Sequence, residues 1–118
     1  MALFGSAISL SPEGETLFRR LGTFRPSDRQ AFVQVFQTSS GRQNAHDALV
    51  AFVLHWEKSD WLEEYSIERI GKWFGRHAPR DLVDELRKWC ARKAKSQARQ
   101  ALAKGIAIGV ATPVDTIA

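Results

Sequence analysis

The stretch from Pro79 to Lys104 constrains this chain most, because it combines the longest helical pattern with all of the net charge. At 100° per residue, Leu82, Val83, Leu86, Trp89 and Cys90 share one face, the spacing of an amphipathic helix. Pro79 suits a first helical turn, and Asp81, Asp84 and Glu85 lie where the positive end of the helix dipole favours anions. Past Cys90 the apolar stripe weakens. Lys93 lands in its middle, and only Ala94, Gln97, Ala98 and Ala101 continue it. Read as one helix over 79–104, the opposite face carries Lys88, Arg92, Lys95 and Arg99 in a row about 16 Å long.

Charge is segregated along the chain. Residues 1–78 hold nine Lys/Arg against nine Asp/Glu, whereas residues 79–118 hold eight against four, which accounts for the net charge of +4. Between Leu86 and Lys104 there are seven basic residues and no acidic one. Such a face can displace counterions from phosphates, or it can be a solvated helix surface matched to its own dipole. The expected nucleic-acid-binding residues are therefore Lys88, Arg92, Lys95 and Arg99.

A chain of 118 residues is expected to form a single domain over 1–118, its core at about 11–94, with about two-thirds of its unfolded surface buried. Hydrophobic residues make up 44% and charged residues 25%, a globular composition. One cysteine cannot form an internal disulfide, so a reducing, cytoplasmic setting is expected. No apolar run reaches the roughly 18 residues of a membrane span, and Met1–Leu10 lacks the basic flank of a secretory signal.

The earlier segments also read as helices. Ser11 before Pro12 opens one over 12–21, with Leu17, Phe18 and Leu21 inward and Gly22 placed to end it. Ser27 and Gln30 have capping-box spacing for a helix over 27–38, which Thr38-Ser39-Ser40-Gly41 breaks. Asn44 can cap a third helix to residue 58, whose Ala45, Ala48, Leu49, Phe52, Val53 and Trp56 make it the expected centre of the core. A fourth, over 66–75, turns Ile67, Ile70, Trp73 and Phe74 inward and ends at Gly75. The expected fold class is all-α, a bundle of about five helices with a long basic C-terminal helix and an apolar tail.

That tail, Gly105–Ala118, carries one charged side chain. Ile106, Ile108 and Val110 alternate with small residues, which suits a short strand or a Gly/Ala-rich helical continuation. It can pack back on residues 2–10 or the core, dock on a partner, or insert shallowly in a membrane, for which it is too short to span. Its apolar ending also suits a chain that continues beyond Ala118.

Catalytic and metal-binding patterns do not emerge. His46 and His55 lie about 180° apart on one helix and cannot share a metal there. No Cys/His cluster, Gly-rich phosphate loop or nucleophile elbow is present. No enzyme activity, cofactor or metal is therefore expected. The helices around Gly75 suggest a helix-turn-helix, with Ile70, Gly71, Phe74 and Gly75 in suitable order. Arg76 departs from it by standing where an apolar residue is expected, and the acids Asp81, Asp84 and Glu85 would meet phosphates at the end of the helix where bases should be read. Trp56, Trp73 and Trp89 read as core and Trp61 as exposed. Two functions remain: a non-catalytic module binding a polyanion, most simply nucleic acid, through the basic face, or a protein-interaction or homo-oligomerising module (inhibitor, adaptor or accessory protein) acting through the apolar tail, at Ile106, Ile108 and Val110, and the small-residue helix stripe. Peripheral membrane contact is not expected.

Overall fold

The computed structural model describes residues 9–59 and 64–112, and every regular element among them is an α-helix. The order is α1 (Pro12–Thr23), α2 (Pro26–Val35), α3 (Ser39–Glu57), α4 (Glu64–His77), α5 (Arg80–Ala91) and α6 (Gln97–Ala111). The all-α class holds, with six helices where five are expected. They fall into two compact units, Met1–Trp61 and Leu62–Ala118. The expected places of residues 2–8, Trp61 and residues 113–118 lie outside the described residues.

In the first unit α1 and α2 pack on α3. Ser11 caps α1 as its pattern predicts, its Oγ accepting from the Gly14 amide at 3.0 Å and donating to Asn44 Oδ1 at 3.1 Å. Asn44 is thus a partner inside α3 and not its cap. Thr38 takes that role, its Oγ1 accepting from the Gly41 amide at 3.0 Å. Gly22 does not end α1. The helix runs past it to Phe24, which adopts φ 44° and ψ 44° while its amide donates to the Arg20 carbonyl. A left-handed phenylalanine is strained. Burial of its ring, edge-on to Phe32 at 6.2 Å, holds it there. Leu17, Leu21, Phe32, Phe36, Leu49 and Val53 complete the core.

The start of α2 rests on Asp28 and not on the expected Ser27 and Gln30. Arg25 is the N-cap residue, and the Asp28 carboxylate reaches back to accept from its amide at 2.7 Å. Asp28 is only 1% exposed. Its oxygens also accept from Thr23 Oγ1 at 2.6 Å, from Arg20 at 3.0 Å and from Arg25 Nε at 3.4 Å. The Thr23 hydroxyl and the Arg25 amide, helped by the two guanidiniums, outweigh desolvation and hold the carboxyl down at about 2. This group has a lower pKa folded than unfolded, so its stabilisation is complete above the unfolded value near 3.8 and disappears as pH falls towards 2.

The second unit is built on a parallel pair, α4 and α6, with α5 as the return between them. Gly71 and Gly75 on α4 and Gly105 and Gly109 on α6 are each four residues apart, so both helices present a ridge without side chains. A Cβ on Gly71 would stand 2.7 Å from the Leu102 carbonyl oxygen; one on Gly75, Gly105 or Gly109 would overlap the carbonyl oxygen of Ile106, Glu68 or Lys72. The two backbones touch along two turns, bringing glycine Cα–H groups onto carbonyl oxygens. Ile67, Ile70, Phe74, Leu102 and Ile106 close the flanks and are fully buried. Gly75 lies inside α4 and ends nothing.

The expected helix over 79–104 is two helices. α5 stops at Ala91, and the amides of Arg92 and Lys93 tighten onto the Trp89 and Cys90 carbonyls at 3.2 and 3.3 Å. Ser96 then caps α6, its Oγ accepting from the Arg99 amide at 3.3 Å. The apolar stripe of α5 matches its pattern through Cys90. Residues 105–111 are helical, which settles that part of the apolar tail in favour of helix over strand.

Two measurements check this fold. Asp28→Asn is expected to lower the melting temperature at pH 7 and to flatten its dependence between about pH 4 and 2, so that variant and parent converge at the acid end. Thermal melts at intervals across that range test it. Gly105→Ala is expected to cost at least about 1–3 kcal/mol by prising α4 and α6 apart. Gly22→Ala, with nothing within 4 Å of the new methyl, is expected to stabilise by about 0.5–1 kcal/mol in denaturant titrations.

Candidate polyanion-binding surface

With the units separated, the charge falls wholly in one. Residues 1–61 carry six Lys/Arg and six Asp/Glu, while residues 62–118 carry eleven and seven, the whole +4. Its densest part is the end of α5 and the turn at 92–95. Arg87, Arg92, Lys93 and Lys95 are exposed and form no ion pair among the described residues. Lys88, also exposed, sits 3.4 Å from Glu85. A surface pair of that kind is weak and exchangeable.

The predicted row of four is not one helical face. Lys88 lies on α5, Arg92 at its C-terminal boundary, Lys95 in the turn, and Arg99 in the first turn of α6. The first three are exposed. Arg99 is not available to a ligand in the same way, being 8% exposed. Its guanidinium lies over the Trp89 ring at 3.9 Å, and Nη1 donates to the Trp89 carbonyl at 3.2 Å. It therefore clips the start of α6 to the end of α5. Gln100 adds a second tie, its Nε2 donating to the Ala94 carbonyl at 2.7 Å. The turn is held at both ends, so its cations project from a fixed frame.

Of the predicted partner-binding residues, Ile106 is fully buried in the α4–α6 seam, while Ile108 and Val110 are 38% and 45% exposed. Trp89 is buried as expected, and Trp56 and Trp73 are half-buried. His46 Nδ1 is 3.0 Å from Asp47 Oδ1, and His77 lies against the Trp73 ring at 5.0 Å. No group of three or more His, Cys, Asp or Glu side chains converges among the described residues. No helix among them is long and apolar enough to cross a membrane.

The structural role of Arg99 had a faint signal. The stripe breaks at Lys93, and Ser96 three residues later is a good N-cap, which together divide the segment. Comparison with protein families, curated proteins and solved structures returned no match to this chain.

The clip makes a direct prediction. Arg99→Lys keeps the charge but loses the flat guanidinium that stacks on Trp89, and is expected to destabilise the protein by about 1–2 kcal/mol. Arg99→Gln is expected to cost as much or more, and chemical denaturation with matched m-values checks both.

Proposed function

We propose that this protein is a non-catalytic binding module whose second unit engages a polyanion, foremost nucleic acid, with weak sequence specificity. The observation that carries this reading is the cluster Arg87, Lys88, Arg92, Lys93 and Lys95, with no acidic residue from Leu86 to Lys104 and with Asp84 and Glu85 one turn before it on α5. Flexible exposed cations fit phosphates better than base edges, so they position a strand without reading its sequence. Their neutralisation of phosphates releases counterions, which gives affinity a steep salt dependence. A cytoplasmic setting fits a chain whose single cysteine, Cys90, is buried in a helix face.

A second reading, from a different class, is a protein-interaction or oligomerising module. What favours it is the exposure of Ile108 and Val110 on α6. Ile106 drops out of this surface, because reaching it requires parting α4 from α6.

The test is binding of a mixed oligonucleotide pool to the full chain and to Arg87→Gln/Arg92→Gln/Lys93→Gln/Lys95→Gln across a salt series. The parent is expected to show a log–log slope near −4, at about −0.9 for each phosphate engaged. The variant should keep its fold by circular dichroism and lose most of the affinity and slope. Undiminished binding removes this surface from the function. If Ile108→Ser/Val110→Ser abolishes self-association or partner capture and no oligonucleotide binds, the second reading replaces the first.

A further inference from the structure

The second unit carries another cationic array, and unlike the row expected from sequence it does lie on one helix. On α4, Tyr65, Arg69, Lys72 and Arg76 are spaced four, three and four residues apart. At 100° per residue they fall within about 60° of one another, opposite the buried Ile67, Ile70 and Phe74. The row is about 16 Å long at 1.5 Å per residue. Arg69 and Lys72 are exposed, and Arg76 is half-buried.

Little among the described residues neutralises it. Glu68 is shared by two cations, Lys72 at 3.5 Å and Lys104 of α6 at 3.6 Å, both long surface pairs that a ligand can displace. Among the described residues Arg76 makes no ion pair, and its Nε is shut off from solvent with no hydrogen-bond partner there. At the head of the row Tyr65 is 78% exposed. The exposed large apolar side chains among the described residues are Tyr65, Ile108 and Val110, and Tyr65 is the aromatic one.

We propose that this face of α4 is a track for single-stranded nucleic acid, with Tyr65 stacking on an unpaired base and Arg69, Lys72, Arg76 and Lys104 lying along the phosphates. It rests on the polyanion reading above and gives it a strand type. An exposed aromatic ring adds nothing to a duplex backbone, whose base faces are closed. Combined with a backbone-tracking row of cations it is how single strands are held. The turn at 92–95 has the denser charge but no such ring among the described residues, which fits a contact with phosphates that does not distinguish single strand from duplex.

Fluorescence anisotropy with the full chain, a labelled 20-nucleotide single strand, the same sequence as duplex, and vesicles rich in phosphatidylserine tests this. The single strand should bind more tightly than the duplex. Tyr65→Ala should weaken single-strand binding about five- to a hundredfold and leave the duplex unchanged, whereas Tyr65→Phe should bind like the parent. Arg69→Gln/Lys72→Gln should make the salt slope shallower by roughly 1.5, at about 0.7 per phosphate on a single strand. All three positions are exposed, and circular dichroism confirms that each variant folds. If the α4 variants bind normally while the variant of the 92–95 turn fails, this track is overturned and the broader function stands. Equal affinity for single strand and duplex with Tyr65→Ala silent overturns it as well. Vesicle binding without oligonucleotide binding, or no binding to either, overturns both.

Discussion

The contact on which the second unit depends is made by backbone. Four glycines let α4 and α6 lie so close that a methyl group on any of them would strike a carbonyl of the other helix. Dispersion falls off steeply with distance, so two main chains in contact over two turns gain attraction along their whole length, and the Cα–H groups meet carbonyl oxygens. The arrangement also fixes direction. Gly71 faces Leu102 and Ile106, and Gly75 faces Ile106 and Val110, so the partners advance together and the helices run parallel.

A parallel pair needs a return segment, and α5 is that segment. α6 therefore cannot continue α5 in a straight line. The chain reverses between Ala91 and Gln97, in a turn rich in Lys and Arg whose one apolar side chain, Ala94, stays exposed. Arg99 is recruited to close this reversal, laying its guanidinium on the Trp89 ring and donating to the Trp89 carbonyl near the end of α5. One of the chain's cations thus became structural because of where the helices break. In the same unit Arg92, Lys93 and Lys95 stay exposed on the turn, and Arg69 and Lys72 on α4.

Much of this was legible in the residues and some was not. The helical class, the capping of α1 by Ser11, the apolar stripe of α5 and the central place of α3 in its unit follow from periodicity and capping chemistry, which are local. What failed was non-local. Gly22 and Gly75 look like helix ends because glycine favours them, yet α1 runs to a phenylalanine held left-handed by its buried ring, and Gly75 is needed inside α4 for close approach. The break at 92–96 was hinted at by Lys93 in the stripe, but helix propensity alone carries the pattern through it. Arg99 looked like a surface cation because its partner, ten residues back, is reached only after the chain has turned. The row on α4 stood in the sequence at regular spacing, masked by the denser charge that follows it.

Residue-resolved amide hydrogen exchange across residues 64–112 of the full chain tests this account most directly. Protected blocks are expected over α4, over α5 to about Ala91, and over α6 from about Gln100 to Ala111, with fast exchange at Ala94 and Lys95 between them. Protection should be highest where α4 and α6 meet, around Lys72 and Ile106. Unbroken protection from Arg80 to about Lys104, with fast exchange beyond Gly105, would mean one long helix and an unpacked tail. That result would contradict the glycine-built parallel pair and everything derived from it.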